Sequence, residues 1–270
     1  MDYVYLGLEG PHDRAVCYRL LRERLGKRAR LETVQQVQDS VWAPLLPDRY
    51  PPRASFSVED PVPVPWVMES ATHSVALQVC GGLPSLTQRV AEDMKALWSL
   101  ASALHIGLLV DADEQAAADR HSDVVQSFVD GLETLPWPAS PGEVGPGPRR
   151  LGCFVSPDNA NTGTFEDVLL KCAEIEYGGL YAKADAYIAG VSVVDDLPQK
   201  RDREEFTAFA GDKKARCAAV GAVLRPGATV HTSYARNHWV TPDTIARTRL
   251  ALLDHFLGAL LGAPHAPHPS

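Results

Sequence analysis

Asp111-Ala112-Asp113 closes an apolar run, Ile106-Gly107-Leu108-Leu109-Val110, and sets two carboxylates one residue apart. A third acid, Glu9, closes another such run, Val4-Tyr5-Leu6-Gly7-Leu8, and Gly10 follows it. Carboxylate oxygens suit a hard divalent cation; Mg²⁺ takes about six oxygens at roughly 2.0–2.1 Å, several of them from water. Residues i and i+2 of a strand face the same side, so Asp111 and Asp113 are expected to converge on one ion. One or two such ions can bind a phosphodiester, activate water and stabilise the leaving oxygen. The same residues also have a plainer use. An Asp-x-Asp can be a helix N-cap followed by a solvated acid, and Glu9 can be a strand-end acid that caps the next helix.

Three further groups fit the chemistry. Glu166 and Asp167 follow the turn Gly163-Thr164 at an expected helix start, where acids are favoured by the helix dipole and where a second ion could be held. Asp13 stands close behind Glu9. Lys213 and Lys214 open a later helix, and a lysine beside a phosphate can neutralise charge that develops in a transition state. The histidines, His12 among them, show no metal-ligand spacing and no His-Glu-x-x-His pattern. A Gly-x-Ser-x-Gly elbow and a Walker phosphate loop are both missing from the sequence, which disfavours a serine hydrolase and a self-contained ATPase.

The elements that must position these acids can be read from periodicity. Short β-rich apolar runs fit fully buried strands of a parallel sheet, and ligands bind beyond the carboxyl ends of such strands. Strands are expected at 3–9, 29–36, in two pieces over 66–80 around Ser70-Ala71, at 105–110 and at 151–155. Helices are expected at 12–25, 84–103, 114–133, from 164, 204–222 and 246–261. The order implies an α/β fold with a mainly parallel sheet flanked by helices. Seven prolines between 43 and 65 exclude regular structure there and indicate a loop or flap. Residues 136–148 read as a surface loop. The expected organisation is an α/β domain over 1–200 with an insert at about 37–65, a helical C-terminal extension over 201–262 packed on it, and a disordered tail over 263–270.

The chain of 270 residues is 45% hydrophobic and carries 26 basic against 34 acidic residues, a net charge of −8. That balance argues against nucleic-acid binding through charge alone, but a local basic strip can offset acidic ligands. Candidate strips are Arg22, Arg24, Lys27, Arg28 and Arg30, and the pair Arg149-Arg150. Five widely spaced cysteines without a C-x-x-C pair suit free thiols in a reducing, cytoplasmic compartment. No apolar run approaches the roughly 20 residues that span a bilayer, and the N-terminus reads as a first strand rather than a signal peptide.

Taken in order, these motifs resemble a Toprim domain, the fold shared by topoisomerases, bacterial primases and the overcoming-lysogenization-defect nucleases. Glu9-Gly10 is similar to the glutamate after the family's first strand, Asp111-Ala112-Asp113 to its later Asp-x-Asp, and Gly81-Gly82 to the glycine turn before the intervening helix. The chain resembles most a stand-alone, Toprim-like group of bacterial proteins. Those carry a Glu-Gly-x-x-Asp start, an Asp-Ala-Asp, a Gly-x-x-Glu-Asp helix start and a late Asp-Lys helix, here Glu9 to Asp13, Asp111 to Asp113, Gly163 to Asp167 and Asp212 to Ala215. The resemblance spans about residues 3–222. It implies Mg²⁺ or Mn²⁺ held by Glu9, Asp111, Asp113 and Glu166, with Lys213 or Lys214 as the late lysine. It further implies a metal-dependent nuclease acting on DNA or RNA, with a role in phage defence. Glu9 and Asp111 lie further apart than in a minimal Toprim domain, across the proline-rich stretch. An alternative is a Toprim-like interaction module that partners a separate ATPase subunit or further copies of itself, away from any membrane. A receiver domain also places acids at strand ends, but its paired acids follow the first strand.

Overall fold

The structure, a computed structural model, describes residues 1–26, 30–31, 33–46, 64–97, 104–128 and 132–262. Five strands form one sheet in the order β2-β3-β1-β4-β5: β1 (Asp2–Leu8), β2 (Trp66–Glu69), β3 (His73–Val79), β4 (Leu104–Asp111) and β5 (Leu151–Ser156). β1 runs parallel to β3 and β4, β4 runs parallel to β5, and the short edge strand β2 is antiparallel to β3. Apart from β2, the strands therefore end at one rim. Their near-continuous burial matches a sheet covered on both faces.

Alternation along the strands sorts the two cores. Val4, Leu6, Leu8, Leu109 and Phe154 pack against α1 (Pro11–Leu25), α5 (Phe165–Ala189), α7 (Gly211–Leu224), α8 (Val230–Arg236) and α10 (Leu250–Leu260). Tyr5, Ile106, Leu108 and Val110 face α3 (Leu83–Ala96) and α4 (Ala117–Gln126). Helix α1 starts with Pro11 in its first turn, where its missing N–H costs nothing, and ends at Gly26 with φ +100°. Residues beyond 200 supply much of the first core, through Cys217, Tyr234, Trp239 and the apolar face of α10.

Several elements differ from the expectations. Residue 30 makes one bridge to Met68, and Thr33 caps a short helix, α2 (Val34–Gln38), with the Gln36 side chain returning the bond, so 33–36 is helix start rather than strand, while 29 and 32 lie outside the described residues. The reason is local: Thr-x-x-Gln is a capping box. The 3₁₀ turn Ala43–Leu45 accommodates Pro44 near its start, so the proline-rich stretch does hold regular structure at its head. Residues 47–63 of that stretch and the tail 263–270 lie outside the described residues. The helix expected at 204–222 is two, α6 (Lys200–Thr207) and α7, broken where Gly211 lets the backbone pass Glu205 and Phe206; a Cβ there would lie 2.2 Å from the Glu205 carbonyl oxygen. The terminal helix is likewise two, α9 (Pro242–Arg247) and α10. Helix α3 ends at Ala96 and α4 at Gln126, inside the expected spans. No helix among the described residues is long and apolar enough to cross a membrane.

Helix α10 sits in a notch. Gly107 of β4 and Gly152 of β5 are register partners. A Cβ on Gly107 would lie 2.4 Å from Leu260 Cδ1, and one on Gly152 would lie 2.7 Å from Phe256 Cε2. Two absent side chains thus let the helix touch the sheet. Gly107→Ala is expected to destabilise the fold by about 1–3 kcal/mol through overpacking. Gly178→Ala, in α5 with nothing near its Cβ, should be neutral or stabilising by up to about 1 kcal/mol. Denaturant unfolding measures both; equal effects would refute the notch.

Candidate functional site

The carboxyl ends of β1, β4 and β5 bring four acids together. Glu9 leaves β1 with its N–H donated to the Leu109 carbonyl at 3.2 Å, and its own carbonyl accepts from Gly81 at 3.2 Å. Its Oε2 accepts the Asp111 N–H at 3.1 Å. Asp111, the last residue of β4, turns its Oδ1 to the N–H of Phe165 at 2.8 Å. Phe165 is the first residue of α5, so this carboxylate sits at a helix N-terminus that attracts anions. Asp13 Oδ2 accepts the Gly10 N–H at 2.7 Å in the first turn of α1. Glu166 Oε1 meets His12 Nδ1 at 3.0 Å, and its Oε2 is buried without a hydrogen-bond partner.

One pattern unites the four. Each carboxylate has one oxygen bound to a protein group, while Glu9 Oε1, Asp13 Oδ1, Asp111 Oδ2 and Glu166 Oε2 accept no hydrogen bond among the described residues. Two buried hydroxyls beside them are also unpartnered: Ser156, the register partner of Asp111, and Thr164, which precedes Phe165. Tethered on one oxygen and open on the other is how carboxylates are oriented for ligation. The donors are all oxygens, the set a hard cation takes. No three His, Cys, Asp or Glu side chains among the described residues are already drawn together as an ion cage. The acids are within electrostatic reach of one another and stop short of ligand spacing.

Their charges confirm the crowding. Burial, then the charges of Asp13, Glu9 and Glu166, push the Asp111 carboxyl well above its ordinary value. Burial, then Glu9 and Glu166, do the same to Asp13. Burial also raises Glu9, against the pull of the Asp111 amide. Burial works against the Glu166 charge as well, but the His12 hydrogen bond and the Lys214 charge outweigh it and hold this carboxyl below the usual glutamate value. A cluster of like charges that cannot all ionise must hold protons or a cation.

The remaining expected residues are placed as follows. Asp113 is not on the strand: its φ is +52°, and it bridges Gly163 through paired backbone hydrogen bonds of 2.8 Å. The i, i+2 rule therefore does not bring it beside Asp111. Its carboxylate pairs with Arg120, whose Nε donates to the Asp111 carbonyl at 2.7 Å, although Glu9 still feels its charge. Lys213 is taken up by Asp167 at 2.8 Å and lies over the Phe209 ring. Lys214 is the lysine whose charge reaches Glu9, Asp13 and Glu166. His12 and Arg120 belong to the site and lack any spacing signal. The one hint is their position in the first turn of a helix that follows an acid-ended strand.

A family model described as "Protein of unknown function (DUF3226)" matches residues 3–257, and the chain belongs to that family. The matched span includes all four acids and the helices that cover them. The crystal structure of a hypothetical protein from Pyrococcus horikoshii OT3 is similar at 14% identity, covering 96% of this chain and 95% of that chain with a TM-score of 0.45. None of the curated proteins compared matches the chain.

The crowding has a measurable sign. A carboxyl raised in the folded state contributes stability that is complete below the unfolded value, near 3.8 for Asp111, and is lost as pH rises through the raised one. Asp111→Asn keeps the acceptor for Phe165 and removes the charge. In chelator at about pH 8 it is expected to raise the unfolding temperature by about 2–4 °C, the shift that about 1 kcal/mol gives a domain of this size. The gain should vanish toward about pH 4, where the parent carboxyl is neutral. A variant that melts lower than the parent at the upper pH contradicts the repulsion.

Proposed function

We propose that this chain is a metal-dependent phosphodiesterase of Toprim type that cleaves DNA or RNA in the cytoplasm, with a role in phage defence. The observation that carries the reading is the set of four acids at one sheet rim, each tethered by one oxygen and open at the other. Glu9, Asp111 and Glu166 would hold Mg²⁺ or Mn²⁺ through their open oxygens, with Asp13 adding negative charge behind them. When bound, the ion supplies Lewis-acid stabilisation to phosphodiester oxygens and a more acidic water. The chain's own residues set the stage for it. The amides of Asp111 and Phe165 fix the two central carboxylates. His12 holds Glu166 in place. Lys214 sets positive charge against the acids, and Arg120 braces the β4 end through the Asp111 carbonyl. Five free cysteines, four of them buried, suit a reducing compartment.

A second reading draws on the open spacing of the acids. Since they are not yet gathered as a cage, closure can require a partner, which favours an interaction module activated by a separate ATPase. Cleavage of labelled DNA and RNA with Mg²⁺ or Mn²⁺ separates the two. The first reading expects cleavage by the chain alone, reduced about 10²-fold or more by Asp111→Asn and by Glu9→Gln, with melting curves showing both variants folded. Cleavage that survives both substitutions would falsify it. Cleavage seen only with the ATPase added supports the second.

A further inference from the structure

Outside the acid rim, the structure holds two arginines with no carboxylate partner among the described residues. Arg14 lies on α1 directly after Asp13, and Arg30 bridges the edge strand β2. Both guanidinium groups lie over the Trp66 ring, at 4.5 Å and 4.3 Å from its centroid, and Arg30 also lies 5.5 Å from that of Tyr18. Tyr18 meets Trp66 edge-on at 5.5 Å. Arg14 Nη1 donates to the Val64 carbonyl at 3.2 Å. Neither arginine pairs with a carboxylate among the described residues, and the Nε of each is buried without an acceptor. Arg24, Arg150 and Lys213 are committed to Asp254 at 2.6 Å, Asp2 at 3.0 Å and Asp167 at 2.8 Å; Arg19 and Arg225 share the buried, acceptor-free Nε, but among the described residues only Arg14 and Arg30 share one indole ring.

Two like charges held on one ring repel, and no carboxylate among the described residues pairs with either. Burial and the Arg30 charge together draw the Arg14 guanidinium down to about 10. Stacking on an indole holds a guanidinium plane in place while leaving its edge free to donate, the arrangement that suits phosphate oxygens. Two guanidinium groups fit a repeating polyanion better than a single small one. Their place fits as well: His12 and Asp13, the neighbours of Arg14 on α1, already belong to the acid rim.

We propose that Arg14 and Arg30, braced on Trp66, bind the phosphate backbone of a single nucleic-acid strand and lead it toward the acids at the end of β1. The inference rests on the phosphodiesterase reading for its choice of polyanion, and its test is independent of cleavage. Binding of a fluorescent single-stranded oligonucleotide is followed by anisotropy in chelator, across a series of salt concentrations, with polyaspartate as competitor. The parent should bind, with polyaspartate competing poorly. Arg14→Gln with Arg30→Gln should weaken binding about tenfold or more and reduce the salt slope by about 1.4, at roughly 0.7 per phosphate contact on a single strand. The double lysine variant should restore most of the slope, which loss of packing on Trp66 alone would not allow. The proposal is overturned if the glutamine variant, folded by circular dichroism, keeps parental affinity and slope. It is overturned equally if the parent fails to bind at low salt, or if polyaspartate competes as well as the oligonucleotide. Binding without any metal-dependent cleavage would sink the phosphodiesterase and leave the strand site standing. Cleavage with unaltered binding in the glutamine variant would do the reverse.

Discussion

Two backbone amides hold the centre of this molecule. The Asp111 N–H donates to Glu9 and the Phe165 N–H donates to Asp111, so a chain of hydrogen bonds runs from β1 through β4 to the start of α5. Carboxylates repel one another, and burial sharpens the repulsion because the medium screens it less. Amide donors are fixed by the secondary structure and cannot drift, so only the carboxylate side chains, and not the donors, lose rotamer freedom in the contact. The parallel arrangement of β1 and β4 puts Glu9 within reach of the Asp111 amide, and the cap at Thr164 and Asp167 sets the Phe165 N–H where Asp111 can take it. The site is a consequence of strand order and helix phase, and the acids occupy positions that the backbone has already defined.

Much of this was legible in the sequence. Apolar runs ending in Glu9 and Asp111 give buried strands that finish at a common rim, because uninterrupted Val, Leu and Ile mark strands covered on both faces. The Gly163-Thr164 turn and its following acids mark the start of α5. The parts that were not legible share a cause: they depend on backbone angles and on helix phase rather than on residue type. Asp113 takes a left-handed conformation, φ +52°, which aspartate tolerates and which no periodicity reveals. Lys213 and Lys214 are neighbours in sequence, yet successive helical residues point about 100° apart, and only their phase decides that one meets Asp167 and the other the acids. His12 finds Glu166 across 154 residues of chain, a contact that only the tertiary fold defines. The strand expected at 29–36 lost to a local competitor, the reciprocal hydrogen bonds of Thr33 and Gln36.

The distribution of charge shows a division of labour across one helix. The first turn of α1 carries Pro11, His12, Asp13 and Arg14 in succession. His12 and Asp13 serve the rim, while Arg14 turns toward Trp66 and the edge strand. Rotation along the helix thus separates positive from negative groups that lie side by side in the sequence. A chain of net charge −8 can in this way carry a guanidinium next in sequence to a buried acid without pairing the two.

The glycine notch on β4 and β5 bears on the order of events during synthesis. Leu260 and Phe256 fill the space left by Gly107 and Gly152, so the middle of the sheet is finished by residues made more than a hundred positions later. A nascent chain that has emerged only as far as β5 has its central strands in hand but leaves an apolar trough open to water. Long-range closure of this kind is slow, and the waiting surface is prone to stick to others. The sheet can therefore be assembled early, but the layer that seals it must wait for the ribosome to reach α10.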